Sequence, residues 1–161
     1  MSMTMTAPLE IGICCRDLDR LAGFYTDVLG CTLVNVVEVP VEKAPATALT
    51  DTSYRVARIQ TPWGERIKLL QPARASEASE ATTWILDRQN TVYVTFIVDD
   101  LKAMLERLKA RGVDVLTGPE MVEVRPQTFL VFARDPEGNV LEFVEYGDIA
   151  AYRPDLADHI G

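Results

Sequence analysis

Histidine is almost missing from this sequence: among 161 residues the only one is His159, in the last three positions. Mechanisms that need two imidazoles in one pocket are therefore excluded within a single chain. The three cysteines build no scaffold, because Cys14 and Cys15 are adjacent and no CxxC or Cys/His zinc spacing occurs. A vicinal disulfide is strained, so reduced thiols are expected. No apolar run approaches the ~18 residues of a membrane span. Residues 1–6 lack the basic and apolar regions of a secretory signal. A soluble, cytoplasmic protein is expected, with no membrane partner. Positive charge is also in deficit, since the net charge of −8 argues against a nucleic-acid or anionic-lipid surface.

What is present is ample apolar content, 48%, enough for a core. The most informative stretch is Asp135-Pro136-Glu137-Gly138-Asn139, a tight turn with Pro presetting φ and Gly accepting positive φ. The following Val140-Leu141-Glu142-Phe143-Val144 reads as a strand. Leu141 and Phe143 share one face, and Glu142 points to the other. A carboxylate within an apolar strand needs a partner.

Taken in order, residues 9–15 read as a strand with Ile11, Ile13 and Cys15 on one face and Glu10, Gly12 and Cys14 on the other. Asp17 is placed to cap a helix whose stripe is Leu18, Leu21, Phe24, Tyr25 and Val28, ending at Gly30. A β-rich run over 31–39, a loop over 40–51, and a hairpin of 54–61 with 65–71 follow. Residues 73–83 read as a linker with some helical propensity. A second cycle then begins: strand 91–98, a helix opened by Asp99-Asp100 and closed by Gly112, and strands at 113–116, 128–134 and 140–146. Residues 120–127 read as a loop. Asp17-Leu18 falls on Asp100-Leu101 at an offset of 83 residues, and Glu10 falls on Tyr93 at the same offset. Such duplication is a topological signal. The expected layout is one domain over 1–161, with a first module at 8–73, a linker at 74–89, a second module at 90–147, and a tail at 148–161. The tail is expected to be a short surface segment or an arm on a neighbour.

Ile11-Gly12-Ile13, Asp17-Leu18, Phe24-Tyr25, Leu29-Gly30, Val98-Asp99-Asp100-Leu101 and the 135–139 turn with Glu142 resemble, in this order, the vicinal oxygen chelate superfamily. That superfamily includes glyoxalase I, methylmalonyl-CoA epimerase, fosfomycin-resistance transferases, extradiol dioxygenases and bleomycin-binding proteins. The resemblance implies an α+β fold of two tandem βαβββ modules whose sheets curl into a cup-shaped cavity, usually in a homodimer. Metal-dependent members place ligands at four cup-facing strand positions, which carried over are Glu10, Lys68, Tyr93 and Glu142. Only Glu142 keeps the expected type, so no metal ligand and no cofactor are assigned. Parity independently puts all four opposite the helix-packing residues of their strands.

Three readings of these residues follow. In the first, Glu10 and Glu142 with Lys68 and Tyr93 form a metal-free acid/base site. One carboxylate takes a proton beside a carbonyl and Lys68 or Tyr93 stabilises the oxyanion, as in an isomerase, epimerase or lyase. In the second, the protein sequesters a drug or metabolite without chemistry, as bleomycin-binding relatives do, and the charged residues are a satisfied polar plug. In the third and weaker reading, Glu10 and Glu142 hold a divalent metal through oxygens. Arg66, Cys14 and Trp63 are candidate contacts to a small-molecule ligand. Glutathione-linked glyoxalase chemistry and extradiol ring cleavage are not expected, since both rest on a metal centre.

Overall fold

The computed structural model describes residues 3–156, so His159 lies outside the described residues. The chain forms two compact units, Met1–Glu80 and Ala81–Gly161. Among the described residues no helix is long and apolar enough to cross a membrane.

The first unit runs β1 (Glu10–Cys14), α1 (Leu18–Gly23), β2 (Thr32–Val39), β3 (Tyr54–Gln60) and β4 (Arg66–Pro72), and α1 continues into a wider π-helical turn, Phe24–Val28. Asp17 starts the helix by accepting the Arg20 N–H at 3.0 Å, as its position predicts. Leu18, Leu21, Phe24, Tyr25 and Val28 are buried, together with Ile13, Ala57, Ile59, Ile67 and Leu69 of the sheet. The strand order is β1-β4-β3-β2, with β1 parallel to β4 and the others antiparallel. Within the expected loop at 40–51, a 3₁₀ turn over Ala44–Thr47 forms. Its buried Ala44 joins Tyr54 and Val56 in a small cluster with Val39 and Leu70, and this apolar anchor holds the segment down.

The second unit runs β5 (Tyr93–Ile97), α2 (Leu101–Ala110), β6 (Asp114–Val115), β7 (Val122–Arg125), β8 (Thr128–Arg134), β9 (Val140–Tyr146) and a one-turn α3 (Ile149–Tyr152). Asp100 caps α2 by accepting the Ala103 N–H at 2.8 Å. Leu101, Leu105 and Leu108 are buried with Val131, Ala133, Leu141 and Phe143, and Phe96 stacks on Phe143 at 5.4 Å. The order is β5-β9-β8-β6, and β7 also pairs with β8.

Three expectations are corrected here. The strand at 113–116 shrinks to the two residues of β6, and the loop at 120–127 contains β7. The two observations share a cause: β6 pairs only with Ala133 and Arg134, leaving the Thr128 end of β8 to be satisfied by β7. The helical propensity of 73–83 produces no helix; a single 3₁₀ turn forms later, over Ile85–Asp87. A short segment without an apolar face cannot meet the cost of nucleating a helix. The tail lies on its own unit, with the Tyr152 ring stacked on Tyr146 at 3.9 Å.

The 135–139 turn is held by one buried carboxylate. Asp135 Oδ1 accepts the backbone N–H groups of Glu137 and Asn139, both at 2.9 Å, and the Asn139 amide binds Oδ2 at 2.8 Å. Gly138 sits at φ 89°, where a side chain would be strained. This turn sets where β9 begins, and hence which face Glu142 takes.

Asp135→Ala would leave two N–H donors without this acceptor and should destabilise the protein by about 2–4 kcal/mol, read from the urea midpoint, with Asp135→Asn retaining part of the loss. Of the three cysteines, Cys14 is exposed while Cys15 and Cys31 are buried, and no disulfide joins them. Burial pushes the Cys31 thiol up to about 11. A thiol reagent at neutral pH should therefore modify Cys14 rapidly and the other two only on unfolding.

Candidate active site

Alternation along the strands puts charged side chains of the first unit on the sheet face away from α1. β1 and β4 pair so that Glu10 lies beside Arg66 and Gly12 beside Lys68, while β3 and β4 set Arg58 opposite Lys68 and Gln60 opposite Arg66. Lys68 Nζ is 3.7 Å from Glu10 Oε2 and Arg66 Nη1 is 4.0 Å from Glu10 Oε1, with all three side chains 36% exposed. Glu10 and Lys68, two of the four expected site residues, are thus an ion pair, with Arg66 joining from the side. Such partly exposed pairs contribute little to stability, about 0–1 kcal/mol. Cys14 lies one pleat further along the same face, its Sγ 3.0 Å from Ser76 Oγ; that partner is a hydroxyl and not a base. Trp63 is exposed in the turn joining β3 and β4.

The other two expected residues lie in the second unit. Glu142 is half-buried between the buried Val140 and Val144, and its Oε2 accepts the Thr95 hydroxyl at 2.5 Å. Its partner is neutral, in contrast to the cations beside Glu10. Thr95 and Phe132 are the register neighbours of Glu142 on β5 and β8. Tyr93 precedes Thr95 on the same face and meets the Phe132 ring edge-on at 5.3 Å. Tyr93, Thr95 and Glu142 therefore share one face, on which Tyr93 and Thr95 are exposed and Glu142 is half-buried.

Further along that face Tyr146 stacks on Tyr152, and the Arg125 guanidinium lies 5.6 and 5.3 Å from the two ring centroids. Burial, then the hydrogen bond and charge of Tyr152, push the Tyr146 phenol up to about 12. A cavity of about 270 Å³ opens here, lined by Arg125, Gln127, Thr128, Tyr146 and Tyr152 among others.

Thr95, Arg58 and Tyr146 are residues the sequence reading missed. Strand parity contained the signal for Thr95 and Tyr146, which fall two and four residues from Tyr93 and Glu142. Arg58 required knowing that β3 pairs with β4.

The resemblance implies a divalent metal, and the donor set can be tested against it. Among the described residues no three His, Cys, Asp or Glu side chains converge. In the first unit the single carboxylate already faces an ammonium, which has no lone pair to offer while protonated. In the second the carboxylate stands with a hydroxyl and, on the same face, a phenol. These donors do not fit a divalent ion of the expected kind.

Comparison with known proteins agrees with the topology. Residues 7–143 match the Glyoxalase/Bleomycin resistance protein/Dioxygenase superfamily. A lactoylglutathione lyase of Haemophilus influenzae is 31% identical over 133 residues, covering 80% of this chain and 84% of that protein. A glyoxalase family protein from Bacillus cereus superposes with a TM-score of 0.74 at 23% identity, covering 89% of this chain and 95% of the other. The trypanothione-dependent glyoxalase I of Leishmania major does so with a TM-score of 0.65 at 18% identity, covering 93% and 94%. The chain belongs to the Glyoxalase/Bleomycin resistance protein/Dioxygenase superfamily.

Proposed function

We propose that the protein is a metal-independent isomerase, epimerase or lyase that moves a proton on a small carbonyl compound. The observation that carries this reading is Glu142: a half-buried carboxylate with buried valines on either side, held by a neutral hydroxyl donor at 2.5 Å. The partner of this carboxylate is a neutral donor, whereas Glu10 is engaged with Lys68 and Arg66. Glu142 is the base. It removes a proton from the carbon beside the substrate carbonyl, and the electron pair moves to the carbonyl oxygen as an enolate. The Tyr93 hydroxyl, on the same face, donates to that oxygen. Thr95 positions the carboxylate. Return of the proton to the other face or the neighbouring carbon completes an isomerisation or epimerisation. Expulsion of a group from the next carbon completes a lyase reaction. The related lactoylglutathione lyase supports this class of chemistry.

A second reading, sequestration of an aromatic compound without chemistry, is favoured by the stacked Tyr146 and Tyr152 beside the 270 Å³ cavity. The two separate on exchange. In D₂O with a panel of small 2-hydroxy and 2-oxo carbonyl compounds, the wild-type protein should incorporate deuterium beside the carbonyl, followed by proton NMR. Glu142→Gln should slow this by about 10²–10⁴-fold while keeping the melting temperature. Undiminished exchange in that variant removes Glu142 as the base. A chelator should leave the rate unchanged, and loss restored by a divalent ion would return the metal reading.

A further inference from the structure

We propose that the face formed by β1, β3 and β4 of the first unit is an oxyanion site, where Arg58, Arg66 and Lys68 take a small carboxylate or phosphate ligand. The inference stands on residues of the first unit alone and is separate from the proton-transfer reading. Three cations occupy neighbouring register positions on this face, and Glu10 is the carboxylate set among them. The imbalance belongs to a protein whose overall charge is −8.

Two other arginines of this unit are hydrogen-bonded directly to carboxylates. Arg55, on the opposite face of β3, meets Asp19 at 2.9 Å, and Arg74 meets Asp51 at 2.6 Å. Arg58 and Arg66 are held differently. Arg58 Nη1 donates to the Asn35 amide oxygen at 3.1 Å, and Arg66 Nε donates to the Gln60 amide oxygen at 3.1 Å. A neutral amide orients a guanidinium without cancelling its charge. Arg66 is oriented through Nε, and its Nη1 stands 4.0 Å from Glu10 Oε1, so an oxyanion would meet this guanidinium beside that carboxylate.

The register makes this arrangement costly in the absence of a ligand. Arg58 and Lys68 are direct cross-strand partners, and like charges so placed repel. A bound anion would relieve that repulsion. Gly12 sits beside Lys68 in the register. A Cβ there would lie 3.2 Å from a Leu70 methyl, so a larger residue at this position would press on the Leu70 side chain.

The test titrates the full chain with sodium lactate and with inorganic phosphate at constant ionic strength, chloride being the control, and follows backbone amides and arginine Nε–H signals by NMR. Saturable shifts at Arg58, Arg66 and around Lys68 are expected, with affinity lowered about tenfold or more in Arg58→Gln and in Lys68→Met. Because Arg58→Gln removes a repulsion, its melting temperature should equal or exceed that of the wild type. Saturation by lactate alone identifies a carboxylate ligand, and saturation by phosphate a phosphorylated one. Shifts that stay linear, match chloride, or are unchanged in Arg58→Gln overturn the site. Glu142→Gln should keep anion binding while losing exchange. In the wild-type protein, binding without exchange overturns the proton-transfer reading alone, exchange without binding overturns the anion site alone, and absence of both overturns both.

Discussion

A helix can seal only one face of a sheet, and the placement of chemistry in this protein follows from that constraint. Tyr25, Leu21 and Leu18 are buried with Ile59, Ile67 and Leu69 in the first unit, and Leu101, Leu105 and Leu108 with Leu141 and Phe143 in the second. Each such side chain contributes about 1.5–3 kcal/mol on leaving water, while the exposed ion pairs contribute about 0–1 kcal/mol. The apolar set therefore decides register, and the charged set is carried to the other side by alternation. Slipping β9 by one residue would expose Leu141 and Phe143 and bury Glu142, an exchange the core forbids.

Much of the fold could be read from local chemistry. Asp17 and Asp100 each precede an apolar stripe and each caps its helix as that position demands. The 135–139 turn was readable because Pro136 and Gly138 restrict the backbone in known ways. Parity alone separated Glu10, Lys68, Tyr93 and Glu142 from the packing residues of their strands. What escaped the sequence depends on which strand lies next to which. The pairing of β7 with β8 was invisible because Val122-Glu123-Val124-Arg125 is too short to stand out from a loop. Arg58 gained meaning only once β3 was set against β4, and the Thr95 to Glu142 contact only once β5 was set against β9.

The electrostatics of the two units differ in kind. The first unit surrounds its carboxylate with cations; the second gives its carboxylate a neutral partner. Glu10 faces an ammonium and a guanidinium, whereas Glu142 faces a hydroxyl. That contrast assigns Glu10 and Glu142 to different roles although duplication relates their halves.

The near-repeat of one strand and helix order in both halves has an evolutionary corollary. A duplicated unit lets one copy drift while its sibling preserves the inherited task. Here the residues on β3 and β4 can be exchanged for others of different sign or reach with no change on β9. The exposed face of one copy can thus be rewritten while the other copy keeps its own.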